Sequence, residues 1–329
     1  MTAHNLTLVF EDGTSIRVTA NEGETVYQAA ARQNVPIQTD CREGACATCR
    51  AICLSGSFEL DDFSDDALTP EEEAEGGVLA CRMKPHSDCV VDFPYAASLI
   101  DVDAAGPVRG TVTEVSEAAR DVWRLRIRPE APVAFLPGQY LNITVPGQDA
   151  QRSYSFASLP GEEELEFFVR RLEGGAMTGW LSGDPTGEET QLGAPLGQFY
   201  LRRPGGRIVL VAGGTGLAPM LSILGELARG EEKPEAVTLL YGTNTPDERF
   251  GAERLAELAE TLPLEVRTIA VEGEERTGFV TDLFDAELIG EQTDVYLCGP
   301  PPMIDAARAW LSEAGHPASR TFAEKFLES

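Results

Sequence analysis

A chain of 329 residues, 43% apolar, carries 54 Asp and Glu against 26 Lys and Arg, for a net charge of −28. That length allows two or three soluble domains, and that charge argues against nucleic acid or an anionic membrane as partner, because both are polyanions. Seven cysteines are an odd number for a disulfide framework and no cleavable signal segment precedes Leu6, so the expectation is reduced thiols in the cytoplasm.

The first elements are short. "LTLVFEDGTSIRVTA" is two alternating runs around Asp12 and Gly13, the pattern of a β-hairpin. "ETVYQAAARQN" has a helix-favouring composition, and "LTPEEE" supplies Thr69 as N-cap, Pro70 as first helical residue and Glu72 three after the cap. Between them lies "DCREGACATCR", in which Cys41, Cys46 and Cys49 form C-x4-C-x2-C, and Cys81 follows 32 residues later in "GVLACRM". This is the ligand spacing of a plant-type [2Fe-2S] cluster. Gly44, Ala45, Ala47 and Thr48 are small enough to let the backbone wrap closely and aim N–H groups at sulfur. Zinc is the competing ion, but zinc sites usually take two C-x2-C pairs, and here the fourth cysteine stands alone. Cys53 and Cys89 fall outside the spacing and read as small core fillers. The unit spans residues 1–95, and residues 96–106, small and acidic, read as a linker.

Over residues 107–203, "VRGTVTEV", "VWRLRIRP", "QYLNITVP" and "LEFFVRRL" alternate with Gly and Pro, which suggests a small antiparallel barrel. Over residues 204–329 the pattern changes. "RIVLVAG", "AVTLLYG", "LEVRTIAV" and "DVYLCG" are short buried strands between helical segments such as "ERLAELAETL" and "MIDAARAWLSEAG", which argues for a parallel, doubly wound sheet. "RIVLVAGGTGLAPMLSIL", the most apolar stretch, is broken by three glycines and a proline and so reads as strand, loop and helix rather than a membrane span. In it Gly213, Gly214 and Gly216, with Thr215 between them, follow a strand directly, and Pro219 heads the next helix: glycines permit the turn, and a helix start offers free N–H groups to an anion.

On "DCREGACATCR", "DDALTPEE", "VLAC", "LPGQY", "RSYSFAS", "VAGGTGLAPM", "DVYLCGPPPM" and "EKF", the chain resembles, essentially end to end, the electron-transfer reductases of ring-hydroxylating oxygenases, and among them those of the benzoate 1,2-dioxygenase type. The first unit resembles plant-type ferredoxins and the remainder the ferredoxin–NADP reductase superfamily. The resemblance implies a multidomain α+β and α/β protein: a β-grasp ferredoxin, a six-stranded antiparallel FAD-binding barrel and a doubly wound NAD-binding domain. It implies electron flow from NADH to FAD to [2Fe-2S] to a separate terminal oxygenase, which the acidic protein would meet through a basic patch. It does not fix the aromatic substrate, which this chain would never touch. A di-iron phenol- or methane-type monooxygenase reductase has the same order of domains. A respiratory NADH:quinone subunit would carry a membrane helix, and a non-catalytic redox sensor would not oxidise NADH rapidly.

The same resemblance assigns residues. Cys41, Cys46, Cys49 and Cys81 would hold the cluster. Arg152 would meet a flavin phosphate, Tyr154 would pack on the flavin, and Ser155 would bond near its reactive nitrogen. Gly174, Gly175, Ala176, Met177 and Thr178 would surround the pyrophosphate. Gly213, Gly214, Thr215, Gly216, Cys298 and Gly299 would receive the nicotinamide nucleotide, with Cys298 and Glu324 beside the reacting ring and Phe326 stacked on the flavin. Glu248, after the second strand, would bind ribose hydroxyls and favour NADH, while Arg249 beside it argues for a 2′-phosphate.

Overall fold

The structure, a computed structural model, describes residues 3–99, 107–148, 150–202 and 205–326. They form two compact units, residues 1–106 with Leu196–Gln198, and residues 107–195 with 199–329.

In the first unit, period-two alternation builds the sheet. Strand β1 (Ala3–Phe10) turns Leu6, Leu8 and Phe10 inward, and β2 (Ser15–Asn21) does the same with Val18 and Ala20. They pair as the expected hairpin, closed by Gly13 at φ +81° and by the Thr14 N–H on Asp12 Oδ1 (3.0 Å). The chain continues through α1 (Val26–Arg32), β3 (Arg50–Ser55), β4 (Phe58–Leu60), α2 (Pro70–Ala74), β5 (Gly77–Leu79), β6 (Met83–Pro85) and β7 (Cys89–Phe93). The main sheet has the order β2-β1-β7-β3-β5, with β1 and β7 parallel and the other pairs antiparallel; β4 and β6 form a separate ribbon. Both helices start on capping boxes, Thr25 with Gln28 and Thr69 with Glu72, the second as expected from "LTPEEE". Tyr95 belongs to this core: it is fully buried against Phe10 and Phe93, and its hydroxyl accepts the Gln38 N–H at 3.1 Å. Of the expected linker, Ala97–Leu99 form a short 3-10 turn and residues 100–106 lie outside the described residues.

The second unit holds two sheets. The first comprises β8 (Val108–Ala119), β9 (Val122–Pro129), β10 (Tyr140–Thr144), β11 (Gln151–Ser155), β12 (Leu165–Arg170) and β13 (Glu189–Leu192), with α3 (Ala176–Ser182) after β12. All its pairings are antiparallel in the order β11-β10-β13-β8-β9-β12, six strands as expected. The second comprises β14 (Arg207–Gly213), α4 (Leu217–Arg229), β15 (Ala236–Thr243), α5 (Ala252–Ala259), β16 (Leu264–Ala270), β17 (Asp294–Gly299), α6 (Pro301–Glu313) and β18 (Thr321–Lys325). It is wholly parallel in the order β16-β15-β14-β17-β18. The chain steps outward from β14 to β16 and then returns to the far side of β14, so the carboxyl ends of β14 and β17 flank a topological switch point, where such sheets bind ligands.

The sequence pattern leaves the relative placement of barrel and α/β sheet open; in the structure they pack into one compact unit. Val122, Ala157 and Phe168 of the barrel share a buried cluster with Leu217, Leu221 and Phe250. The rings of Phe168 and Phe250 stack with centroids 4.2 Å apart, and Ser222 Oγ donates to the Ser158 carbonyl at 2.7 Å. Gly225 has a reason to be glycine in the middle of α4: a Cβ there would lie 2.6 Å from Leu159 Cδ2.

Candidate functional site

Between α1 and β3 the chain coils tightly. Arg42, Gly44 and Ala47 all have positive φ (60°, 75° and 61°), and a Cβ on Gly44 would lie 2.8 Å from the Cβ of Phe63. Left-handed turns at two non-glycine residues cost energy, and the coil they produce points amides at sulfur. The N–H groups of Glu43, Ala45 and Cys46 approach Cys41 Sγ at 3.5, 3.4 and 3.3 Å, and the Cys41 N–H approaches Cys46 Sγ at 3.4 Å. The Gly44 N–H serves Cys81 and the Thr48 N–H serves Cys46. The four expected thiols come together two by two: Cys41 with Cys46, and Cys49 with Cys81, each pair sharing a thiol hydrogen bond.

The acidity of these thiols follows the pairing. The hydrogen bond from Cys46 and the three backbone N–H groups pull Cys41 down to about 5, and the bond from Cys49 pulls Cys81 down. Their donors move the other way, Cys46 and Cys49 being pushed up by that same bond and by burial. Among the described residues no three or more His, Cys, Asp or Glu side chains converge closely enough to hold a metal ion. Four thiols in two pairs, ringed by N–H donors, fit the donor set of a two-iron cluster. Cys53 and Cys89 stand apart and bond to each other; Cys89 is buried, as a core filler should be, while Cys53 is only half-buried.

In the second unit the site forms where β11 of the barrel meets the carboxyl ends of β17 and β18. Cys298 and Glu324 are register partners on those parallel strands, and Ser155 Oγ donates to Glu324 Oε2 at 3.2 Å. Burial pushes the Glu324 carboxyl up to about 8, against the lowering effect of the Ser155 bond, although its side chain keeps a partly exposed edge. Burial, then the nearby Glu324, raises the Cys298 thiol far above its ordinary value, so it stays neutral. The glycine loop lies against the same strand ends. Gly214 has φ +54°, and a Cβ on Gly216 would fall 2.2 Å from the Cys298 carbonyl oxygen, so only glycine lets α4 start this close to β17. Gly213 and Gly299 face each other, since a Cβ on Gly299 would lie 3.2 Å from Gly213 Cα; Thr215 is half-buried within the 3-10 turn Gly214–Gly216.

The expected flavin residues sit on β11 and around α3. Arg152 makes one hydrogen bond among the described residues, to the Gln151 carbonyl at 2.8 Å, and no ion pair. Tyr154 packs on the barrel core, and burial raises its hydroxyl. Gly174 has φ +74°, Gly175 is the N-cap of α3 and Ala176 its first residue. Thr178 Oγ1 accepts the Leu172 N–H at 2.9 Å and can still donate. Met177 departs from expectation: it is 3% exposed and its side chain belongs to the barrel core, because α3 turns that face inward. Phe326 is held by its N–H on the Gly299 carbonyl (2.9 Å) and packs against the α/β core, while 327–329 lie outside the described residues. Glu248 accepts from Asn244 Nδ2 at 3.2 Å, and Arg249 pairs with Glu274.

Three contributors were not signalled by the sequence. Glu324 and Cys298 were both expected here, but not strand β18, which sets them side by side; "TFAEKF" alternates too briefly to announce a strand. Exposed Arg170 ends β12, with Nη1 4.0 Å from where a Cβ on Gly214 would sit. The Phe168–Phe250 stack joins the two sheets, and no local pattern signals it.

Known proteins match this arrangement along its whole length. The 2Fe-2S iron-sulfur cluster binding domain family matches residues 9–86, the oxidoreductase FAD-binding domain family 109–200, and the oxidoreductase NAD-binding domain family 210–309. The chain is 38% identical over 334 residues to the 2-halobenzoate 1,2-dioxygenase electron transfer component of Burkholderia cepacia, covering 98% of each chain. It is 36% identical over 336 residues to the toluate 1,2-dioxygenase electron transfer component of Pseudomonas putida, covering 99% of each. Among solved structures, the Amycolatopsis cytochrome P450 reductase GcoB superposes with a TM-score of 0.72 at 32% identity, covering 98% of each chain. A cysteine quartet, a flavin-type barrel and a glycine-looped parallel sheet, in that order and with these relatives, place the chain in the family of electron transfer components of ring-hydroxylating dioxygenases, flavin- and [2Fe-2S]-dependent NAD oxidoreductases.

Proposed function

We propose that the chain is the NADH-oxidising reductase of a benzoate-type 1,2-dioxygenase. It is built as a ferredoxin domain over residues 1–95, a linker over 96–106, a flavin domain over 107–203 and a nucleotide domain over 204–329. The observation that carries the reading is the meeting of Ser155, Cys298 and Glu324 beside the glycine loop, in a chain whose other unit gathers four thiols. When bound, the flavin supplies the exchange of a two-electron hydride for single electrons, which the iron–sulfur cluster stores one at a time.

The chain's residues do the positioning. The fork of Arg152 and the hydroxyl of Thr178 hold phosphate, and the Tyr154 ring packs beside the flavin. Gly214 and Gly216 let the nucleotide backbone come down onto the start of α4. Ser155 would fix the Glu324 carboxyl, which burial keeps protonated at pH 7, so that no carboxylate charge stands beside the flavin nitrogen where negative charge would build up. Neutral Cys298 fills the strand end beside it. Cys41, Cys46, Cys49 and Cys81 hold the cluster.

A separate oxygenase component receives the electrons. Docking of the acidic ferredoxin unit on a basic patch of that oxygenase is supported by 17 Asp and Glu against 6 Lys and Arg in residues 1–100. No helix among the described residues is long and apolar enough to cross a membrane, and all seven cysteines are free, which supports placement in the cytoplasm. The test is an anaerobic absorption and electron paramagnetic resonance titration with NADH. Bleaching of the flavin bands followed by the rhombic signal of a reduced binuclear centre is expected; a chain that takes up neither group overturns the reading.

A further inference from the structure

The loops that follow β15 and β16 lie side by side at the carboxyl end of the sheet, because β15 and β16 pair in parallel up to Thr243 and Ala270. In doubly wound folds an acidic residue after the second strand bonds the ribose of NADH, and an arginine there receives the 2′-phosphate of NADPH. This chain carries both, Glu248 and Arg249, so the sequence leaves the choice between coenzymes open. The structure points to a third residue. Arg249 Nη2 lies 2.7 Å from Glu274 Oε1, with both side chains about a quarter exposed. The same carboxyl accepts the Ala270 N–H, which ties it back to the end of β16. Its loop is pinned on either side by the Gly278 N–H on the Ala270 carbonyl and by the Ala270–Thr277 bridge. Glu248, for its part, is steadied by Asn244 through both its backbone N–H and its side chain.

Arg249 is not part of a saturated structural network. Its Nε is buried and makes no hydrogen bond among the described residues. One carboxylate neutralises the guanidinium and leaves donors over, which is the state of a phosphate site closed by an internal anion.

We propose that Glu274 sets the coenzyme preference: by pairing with Arg249 it closes a latent 2′-phosphate site, and so makes the protein select NADH over NADPH. Glu274 is a positioning residue that acts through Arg249. A 2′-phosphate entering here must displace a carboxylate that is already charged and anchored, and it faces Glu248 as well. The hydrogen bond from Arg249 holds the Glu274 carboxyl below its ordinary range, so the closing anion persists at neutral pH.

The proposal rests on the nicotinamide nucleotide lying on the glycine loop at the start of α4, as in the function proposed above, with its adenosine ribose toward the loop after β15. The test uses the full FAD-loaded chain, its Glu274→Gln variant and the double variant Glu274→Gln with Arg249→Gln. The variant is expected to raise the ratio of kcat/KM for NADPH to that for NADH by about tenfold, the gain of roughly one charge-assisted hydrogen bond, through KM for NADPH rather than kcat. The double variant is expected to lose that gain, and a ratio within twofold of wild type in Glu274→Gln overturns the proposal. Calorimetry on wild type gives an independent reading: adenosine 2′,5′-bisphosphate is expected to bind no more tightly than 5′-AMP, and binding more than tenfold tighter overturns the proposal even if the variant does not fold. Failure of NADH to reduce the wild-type flavin would overturn the functional reading along with it, whereas intact reduction with an unchanged ratio overturns this proposal alone.

Discussion

Ser155 Oγ donates a hydrogen bond to Glu324 Oε2 across 169 positions of sequence, joining the last residue of a barrel strand to an edge strand of the α/β sheet. Burial of that carboxyl, against the lowering effect of the bond, sets a pH dependence whose sign follows from the shift. The Glu324 carboxyl moves from 4.5 when free to about 8 when folded, so between those values the unfolded chain has released a proton that the folded chain keeps. Stability due to this group therefore falls as pH rises from about 4.5 to about 8, then levels off. Glu324→Gln removes the effect. Urea unfolding followed by flavin fluorescence at pH 5, 6.5 and 8 should show the variant gaining on wild type as pH rises; a constant difference would refute the shift.

The same bond predicts a kinetic result. Hydride transfer moves negative charge from the nicotinamide, which becomes cationic, onto the flavin, so an ionised Glu324 bonded to Ser155 at the receiving flavin nitrogen opposes it and a neutral one does not. Stopped-flow reduction of the flavin at saturating NADH should slow as pH passes about 8. Ser155→Ala removes the one interaction that holds the carboxyl's pKa down and should shift that inflection upward while slowing reduction on the order of tenfold. An unchanged rate and inflection would mean that Ser155 does not face the reacting ring.

Much of this was legible before any coordinate. Cysteine spacing exposed the thiol quartet because its signal is local, as are the Thr69–Glu72 capping box and the Asp12–Gly13 turn. Strand periodicity separated barrel from parallel sheet for the same reason. What escaped was built from contacts distant in sequence: the short edge strand that sets the expected Glu324 against Cys298, Phe168 against Phe250, and the Arg249–Glu274 pair, 25 residues apart. That Met177 turns its side chain into the barrel core was not legible either, because a motif position does not say which way a helix faces.

Gly225 offers a check on the joining of barrel and sheet into one unit. Alanine has the better helix propensity, yet a methyl group here would lie 2.6 Å from Leu159 Cδ2. Gly225→Ala should therefore destabilise by about 1–3 kcal/mol through overpacking, where an isolated helix would gain. Thermal unfolding monitored by flavin release should move to lower temperature; a higher midpoint would show that α4 does not pack on the barrel.

Cys46→Ser separates the two units functionally. It removes a sulfur that Cys41 and Thr48 both contact. Reduction of cytochrome c, a one-electron acceptor served through the cluster, should fall by at least the roughly 10–100-fold that changes in a metal's outer shell cost. Flavin reduction by NADH should persist. Loss of both activities in a folded, flavin-loaded variant would contradict an independent nucleotide–flavin unit.

The acidity of the ferredoxin unit predicts how its partner is met. Asp62, Asp65, Glu71, Glu73 and Glu75 are all exposed around α2, whereas Glu72 and Asp61 are engaged by Arg50 and Lys84. Exposed charges steer encounter over about one Debye length, roughly 10 Å at 0.1 M salt and 3 Å at 1 M. Reduction of the oxygenase should therefore slow several-fold between low and high salt, while first-order flavin reduction at saturating NADH should not. Glu71→Lys combined with Glu73→Lys should weaken both the rate at low salt and its salt dependence, since steering scales with the charge that faces the partner. A rate of oxygenase reduction indifferent to salt in wild type would leave the negative surface without a role in docking, and would move the source of partner choice to shape and apolar contact.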